Sequence, residues 1–204
     1  MNQEHEAAVR GFCDAGDYVG ATNEALRLLG PELFGYLVAV HRDQDDASDA
    51  FATFSERLWR GLPAFQWESS LRTWAYRVAH NASVDLLRAE GAIGRRAVPL
   101  SDCPEVAAMA ERVRSETATH LKTGARDAVA ELRRSLPAED QAVLILRLDR
   151  KLAFSDIARV LAGEGTDADA LARESARLRK RFQLARERLL ALGRERGLLP
   201  RKAS

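Results

Sequence analysis

The sequence is poor in the features that mark disulfide scaffolds, metal sites and membrane proteins. It has two cysteines, Cys13 and Cys103, far apart and outside any CxxC pattern, so two reduced thiols are expected. The longest apolar run, residues 33–40, is much shorter than the roughly 20 residues needed to span a bilayer. The first ten residues are acidic and polar, unlike a secretory signal. We therefore expect a cytoplasmic protein with no membrane partner.

The sequence also lacks the apolar–polar alternation of β-strands. Apolar residues recur at helical spacing almost throughout, and only 13 glycines and 6 prolines interrupt them. One such interruption, Gly30-Pro31, predicts a break between two helices, and Ser69 or Ser70 is expected to cap a helix over 70–89. The predicted fold class is all-α.

Two small helical domains are expected, joined by a partly helical linker. Residues 91–130 are assigned to the linker because Gly91, Gly94 and Pro99 interrupt the chain there and the helical periodicity is lost. The predicted domains are residues 1–90 and residues 131–204.

The net charge of +1 conceals two ends of opposite sign. Residues 1–60 carry eleven acidic and five basic side chains, whereas residues 159–204 carry six acidic and twelve basic ones. The basic end has the charge pattern of a nucleic-acid binder, and the acidic end suits a basic protein partner. Charged helix faces are also commonly just solvated, so charge alone does not decide the function.

Aromatic residues are concentrated in residues 58–88. Phe65 and Trp67 lie in the loop before the predicted helix 70–89, and Trp74 lies on the apolar stripe of that helix. The opposite side of the helix is predicted to be cationic and polar. Aromatic rings beside cations can hold unpaired bases and phosphates together. An ordinary amphipathic surface helix is the alternative interpretation.

The C-terminal part has the order of a helix-turn-helix DNA reader. Helices are predicted near 137–148, 154–162 and 168–192, and the last one is long and basic. Its apolar residues Leu178, Phe182, Ala185 and Leu189 are spaced to form a buried stripe. A basic amphipathic helix that packs on a partner remains the alternative.

Two stretches resemble the extracytoplasmic-function (ECF) group of sigma-70 family RNA polymerase sigma factors. Residues 45–88 carry the landmarks DASDAF, LWRGLPAF, SSLRTWAYRVAHN and VDLLR, which are similar to region 2 of that group. SLPAEDQAVLILRLDRKLAFSDIARVLA followed by LRKRFQLARERL is similar to region 4. The two stretches occur in the family's order and together cover well over half of the chain.

The resemblance implies a transcription initiation factor that binds core RNA polymerase, recognises the minus-35 and minus-10 promoter elements and promotes DNA melting. Region 2, residues 1–90, would bind the β′ clamp helices and the minus-10 element. Region 4, residues 131–204, would bind the β flap and the minus-35 element. Neither a catalytic residue nor a cofactor or metal is implied, and an anti-sigma factor is a further partner that the resemblance leaves open.

The matching positions identify three sets of contact residues. Those implied for the minus-10 element are Phe65, Trp67, Ser69, Ser70, Arg72, Thr73, Arg77, His80, Asn81 and Arg88. Those implied for the minus-35 element are Arg173, Arg177, Arg179, Lys180, Arg181 and Arg186. Those implied for polymerase binding are Asp46, Asp49, Thr53, Glu56 and Arg57.

The sequence departs from the family pattern at three places. Ala52-Thr53 replaces a Gln-Glu pair in the polymerase-binding helix. Ala153 replaces the serine that usually caps the short helix of region 4, predicted here near 154–162. The tight turn before the last helix is replaced by AGEGTDADALARESA, residues 162–176, about ten residues longer than usual. Thr166 with Asp169 is predicted to cap an extended last helix.

Two other classes of function are weighed against this one. A helix-turn-helix regulator acting without replacing the sigma subunit explains the basic end, but neither the loop aromatics nor the acidic helix. An enzyme would need a metal cluster, for which the candidate ligands are His41, Asp43, Asp45, Asp46 and Asp49. Acids at a helix start more commonly compensate the helix dipole, so this alternative is the weaker one.

Overall fold

A computed structural model describes residues 3–41, 43–90, 103–121, 127–162 and 165–198. Within these ranges the chain forms helices and loops and no strand, which confirms the all-α fold class. The chain divides into two compact units, Met1–Lys122 and Thr123–Ser204.

Five α-helices form the described part of the first unit and four form that of the second. The first unit contains α1 (Gln3–Asp14), α2 (Tyr18–His41), α3 (Gln44–Gly61), a 3₁₀ turn (Leu62–Ala64), α4 (Leu71–Glu90) and α5 (Pro104–Leu121). The second contains α6 (Asp127–Arg134), α7 (Ala138–Leu144), which continues into a π-helical turn (Ile145–Asp149), α8 (Phe154–Leu161) and α9 (Ala168–Glu195).

Helix α2 is the centre of the first unit, because the other four helices all pack against it. Phe34 on α2 meets Phe51 on α3 edge to face, with the ring centroids 5.4 Å apart. Tyr36 meets Tyr76 on α4 in the same way at 5.5 Å. All four side chains are buried, so paired aromatic rings fix how α3 and α4 lie on α2.

The predicted helix break at Gly30-Pro31 is wrong, because α2 runs through both residues. Gly30 is buried where α5 packs on α2, and a Cβ placed there would lie 2.7 Å from Cγ1 of Val113. The missing side chain therefore allows α5 to approach closely. Pro31 has no backbone N–H, so the helix loses one hydrogen bond, and packing against α5 offsets the cost of that loss.

Part of the predicted linker is folded into the first unit. Helix α5 lies within residues 91–130, yet it packs on α2 and α3 and buries Val106, Ala110 and Val113. Residues 91–102 and 122–126, which hold the glycines and proline of the predicted linker, lie outside the described residues. The exact domain boundaries stay a prediction.

Helices α3, α4 and α9 each begin with a side-chain cap. Asp43 Oδ1 accepts from the backbone amide of Asp45 at 2.7 Å and so caps α3. Ser70 Oγ accepts from the amide of Thr73 at 3.1 Å, which selects Ser70 over Ser69 as the cap of α4. The predicted capping pair of Thr166 with Asp169 is wrong, because Asp167 is the cap of α9 and accepts from the amide of Ala170 at 2.7 Å.

The long segment before the last helix is itself largely helical. Helix α9 begins at Ala168, so residues 168–176 add more than two turns to the front of the basic helix. Leu178, Phe182 and Ala185 are buried, which confirms that they form the apolar stripe against the rest of the unit.

Candidate nucleic-acid and polymerase interfaces

Three aromatic rings form a cluster at the start of α4. Phe65 stacks on Trp74, with the centroids 4.6 Å apart and the planes 18° from parallel. Trp67 lies against the same Phe65 at 4.8 Å. Trp74 is buried, whereas Phe65 and Trp67 are half-buried, so the cluster rests on the core and leaves part of its two loop rings accessible.

The cluster is held in place from several directions. Gly61, at the end of α3, lies against Trp74, and a Cβ there would be 3.0 Å from Cζ2 of the indole. Trp67 has a φ of +57°, a left-handed conformation that costs a bulky residue about 1–3 kcal/mol. The guanidinium of Arg10 on α1 lies 5.3 Å from the centre of the Trp67 ring. Glu6, also on α1, accepts the backbone amide of Leu71 at 2.9 Å.

The residues predicted to face the minus-10 strand do not form one exposed surface. Asn81 and Arg88 on α4 are exposed, as is the capping residue Ser70, and Ser69 and Arg77 are half-buried. These five, with Phe65 and Trp67, lie either in the loop before α4, residues 65–70, or along α4 itself. We call residues 65–70 the aromatic loop.

Arg72 and Thr73 have partners within the protein. Arg72 Nε donates to Glu32 Oε1 on α2 at 2.6 Å, and the guanidinium lies 5.4 Å from the centre of the Tyr76 ring. Burial by itself would lower the pKa of Arg72, but the hydrogen bond and charge of Glu32, together with Tyr76, outweigh this and the pKa is raised. Thr73 is only 2% exposed, and its hydroxyl lies 2.9 Å from that of Ser70. Both side chains therefore stabilise the start of α4.

His80, one of the implied minus-10 contacts, is only partly exposed, and its ring has a partner within the protein. Its Nδ1 lies 3.0 Å from the hydroxyl of Tyr36, on the side of α4 that faces α2. Burial lowers the pKa of His80 to about 4, so the imidazole is neutral at physiological pH. A neutral ring facing α2 supplies no charge for a phosphate.

The predicted polymerase-binding residues of α3 also differ in exposure. Asp49 is exposed, and Asp46 and Thr53 are half-buried. Arg57 is exposed and pairs with Asp85 of α4 at 2.8 Å. Glu56 is only 8% exposed, and its carboxylate pairs with Arg60 at 3.0 Å. Asp49 is therefore the acid of this set that is most open to a partner.

The basic helix of the second unit is attached to α7 by a buried carboxylate. Asp140 is 3% exposed and accepts from Arg181 Nε at 2.7 Å and from Arg188 Nη1 at 3.1 Å. Arg181 also pairs with Glu139. Burial would lower the pKa of Arg181, but the hydrogen bonds and charges of Asp140 and Glu139 together outweigh this and the pKa is raised. Asp140 thus fixes the rotation of α9 about its axis.

The remaining predicted cations of α9 are exposed. Arg177 lies 3.7 Å from Glu174 within the same helix. The guanidinium of Arg179 lies 5.8 Å from the centre of the Phe154 ring on α8. Arg173, Lys180 and Arg186 are exposed as well. Arg177 and Lys180 line an open groove together with Asp140, Arg181, Leu184 and Arg188, so four basic side chains and one carboxylate border it.

Comparisons with known proteins agree with this architecture. Residues 26–93, which hold the aromatic loop and most of α2 to α4, match the family model for sigma-70 region 2. Two curated relatives are both described as "ECF RNA polymerase sigma factor SigM", from Mycobacterium tuberculosis strains Erdman and H37Rv. Each is 31% identical over 138 residues, a match that covers 67% of this chain and 64% of the relative's own length.

Residues 26–93 therefore form a sigma-70 region 2 domain, and over 138 residues the chain is similar to the ECF group of sigma factors. No solved structure gave a significant match. Helix α1 lies before the residues that match the region 2 model.

Three residues that shape these interfaces were not predicted from the sequence. Glu6 and Arg10 meet residues 65 and 57 positions further along the chain, and no spacing rule connects segments so far apart. Asp140 carries a weak signal, because it is an acid at the border of the apolar segment AVLIL. An acid in that position is explained most simply by a buried partner.

The described part of the chain holds neither a metal-binding cluster nor a membrane span. Among these residues, no group of three or more His, Cys, Asp or Glu side chains could hold a metal ion. The described helices include none that is long and apolar enough to cross a membrane.

Proposed function

We propose that this chain is a transcription initiation factor, which joins core RNA polymerase, recognises promoter DNA and promotes its melting. The observation that carries the proposal is the aromatic cluster of Phe65, Trp67 and Trp74 within the segment that matches sigma-70 region 2. Partly exposed rings beside outward-facing polar and basic residues suit the capture of an unpaired base. We propose no catalytic role for the chain itself, since the polymerase performs the chemistry.

The direct test is transcription in vitro with core RNA polymerase of the source organism. Core enzyme plus this chain should initiate at discrete sites on a fragmented genomic template, and mapped starts should share upstream elements. Core enzyme alone is the control. Initiation that is equally random with and without the chain would refute the proposal.

For polymerase binding we propose Asp49 as the principal acid on α3, with Asp46, Thr53 and Arg57 beside it. Their exposure supports this choice, whereas the carboxylate of Glu56 is largely buried against Arg60. The proposed partner surface is the β′ clamp helices. Asp49→Lys should weaken co-purification with core enzyme and make binding more sensitive to salt. Glu111→Lys, at an exposed site on α5, is the matched control and should bind as the parent does.

For the minus-10 element we propose that Trp67 and Asn81 contact the unpaired DNA strand. Ser69, Arg77 and Arg88 are proposed as further contacts to the same strand. Trp67→Ala and Asn81→Ala should bind core enzyme normally but reduce the permanganate reactivity of unpaired thymines. A stacked base contributes about 1–3 kcal/mol, so promoter opening by Trp67→Ala should fall at least several-fold. Glu116→Ala, at an exposed position on α5, is the control. Unchanged thymine reactivity in both Trp67→Ala and Asn81→Ala would exclude these strand contacts.

For the minus-35 element we propose that Arg177 and Lys180 contact DNA, while Arg181 acts mainly by holding α9 on α7. Arg177 and Lys180 are exposed, whereas Arg181 donates a hydrogen bond to Asp140, and this difference supports the two roles. Removal of a side chain that binds one phosphate should reduce the salt dependence of duplex binding by a slope of roughly 0.9. Removal of a side chain that reads a base should instead relax preference at one position.

Single alanine variants scored on a library of upstream elements distinguish these roles. Arg177→Ala and Lys180→Ala should alter salt slope or preference without changing stability, and Arg181→Ala should lower stability. If neither exposed cation affects DNA binding, then α9 contacts another partner, for which the polymerase β flap or an anti-sigma factor are the candidates.

A further inference from the structure

Helix α1 contacts the aromatic loop at two separate points. Glu6 Oε1 accepts the backbone amide of Leu71 at 2.9 Å, where the loop enters α4. Arg10, one helical turn further along α1, places its guanidinium 5.3 Å from the centre of the Trp67 ring. One contact is to backbone and the other to a side chain, so α1 fixes both the end of the loop and one of its accessible rings.

The loop needs such support because its own structure is weak. Trp67 has a φ of +57°, which an unsupported tryptophan would seldom keep. Within the loop, the side chain of Gln66 donates to Ala64 O at 3.0 Å, but this bond lies on the chain's outer surface. A residue held in a strained conformation persists when its surroundings over-determine it. Arg10 on one side of Trp67 and Phe65 on another supply these surroundings.

We propose that α1 is a working part of the base-capture site, in which Glu6 and Arg10 are positioning residues for the aromatic loop. This inference rests on the proposed function of the loop in promoter melting. A ring that already has its bound orientation does not need to be ordered when a base arrives, so capture is tighter. The part of Trp67 that stays accessible is then presented to the base in one defined orientation.

The contacts favour positioning over blockage of the loop. Glu6 engages a backbone amide rather than an aromatic ring, so it shapes the loop without covering it. Arg10 lies over Trp67, yet the indole remains half-exposed and Arg10 itself is exposed. A blocking helix would instead bury the rings.

The test measures how strongly holoenzyme prefers a base over an abasic site in the non-template strand. The probe is a fluorescent fork-junction DNA built on a promoter that the parent transcribes, with abasic sites scanned through its single-stranded minus-10 region. The full-length variants are Glu6→Ala and Arg10→Ala, with Glu6→Gln and Arg10→Lys as conservative partners. Glu111→Ala on α5 and Arg27→Ala on α2 are matched controls at exposed sites away from the loop.

The affinity ratio between base and abasic probes should fall at the captured position. A cation–π contact of this kind corresponds to about a two- to five-fold loss in Arg10→Ala. Glu6→Ala should lose a similar factor. Glu6→Gln keeps an oxygen acceptor for the Leu71 amide and Arg10→Lys keeps the cation, so both should recover most of the ratio. The controls should match the parent.

Three results would overturn the inference. An unchanged ratio in both alanine variants means that α1 does not act on the loop. A higher ratio means that α1 obstructs capture, and an equal loss of affinity at every probe position means that it serves only general stability. A parent that shows no preference for a base at any position would instead refute base capture itself, which is the failure of the proposed function.

Discussion

Replacing Asp140 by asparagine tests whether a buried carboxylate holds the basic helix α9 in place. The carboxylate is 3% exposed and accepts hydrogen bonds from Arg181 and Arg188. Asparagine has one oxygen and one NH2 group, so one of the two arginines would lose its acceptor. Hydrogen bonds to a charged group contribute about 1.5–3 kcal/mol each when fully buried. The side chains of Arg181 and Arg188 are 27% and 59% exposed, so water can partly replace what they lose. We expect a net destabilisation of about 2 kcal/mol.

Glu139 is a matched control, because it pairs with the same Arg181 but its side chain is 76% exposed. An exposed ion pair contributes little, so Glu139→Gln should change stability by less than about 1 kcal/mol. Urea unfolding of the full chain can be followed by far-UV circular dichroism and by tryptophan fluorescence. The three tryptophans lie at 59, 67 and 74, so fluorescence follows the first unit alone.

A loss of about 2 kcal/mol should lower the urea midpoint of the second unit by roughly 1–2 M, given the slopes usual for small domains. The circular dichroism transition should shift in Asp140→Asn, and the fluorescence transition should stay in place. Equal midpoints for Asp140→Asn and Glu139→Gln would refute the reasoning, because burial would then make no difference.

Two other predictions follow from the packing around α4. Gly61→Ala should lower stability by about 1 kcal/mol and alter tryptophan fluorescence, because its Cβ would lie 3.0 Å from Trp74. Gly11→Ala is the control, because a Cβ there meets open space, and it should stabilise α1 by about 0.5–1 kcal/mol. His80 has a folded pKa of about 4, below its unfolded value, so protonation favours the unfolded chain and stability falls as pH drops from 6.5 toward 4. His80→Gln should remove that component, at most about 3 kcal/mol, from the difference in unfolding free energy between pH 7 and pH 4.

Each of these two predictions has a clear contrary result. Gly61→Ala and Gly11→Ala with the same effect on stability would mean that the Trp74 contact is not restrictive. An unfolding free energy that depends on pH identically in the parent and in His80→Gln would mean that His80 is not kept neutral by burial.

Local patterns allowed the helices and much of the core to be predicted. The helical spacing of Leu178, Phe182 and Ala185 identified the buried stripe of α9, and Trp74 was expected in the core. Both predictions depend only on the period of a helix, which the sequence displays directly. The capping role of Ser70 was predictable for the same reason, because caps act over three or four residues.

Contacts between distant segments could not be predicted in this way. The helix was expected to break at Gly30-Pro31, but Val113 packs on Gly30 across more than eighty residues. His80 has the sequence neighbours of an exposed cation, yet Tyr36, 44 residues earlier, lies beside its imidazole. A single sequence shows periodicity but not which helix faces which, so tertiary partners decided these positions.

The position of α1 also affects how the protein should be cut and labelled in the laboratory. A fragment that starts at residue 26, where the region 2 match begins, would lack both Glu6 and Arg10 and would leave Trp67 without its guanidinium neighbour. An affinity tag fused at the amino end would join the chain five residues before Glu6, next to the start of α1 at Gln3. Footprints and affinities measured on such a fragment or fusion would describe an altered loop, so the intact amino end and a tag at the opposite end are the appropriate choice.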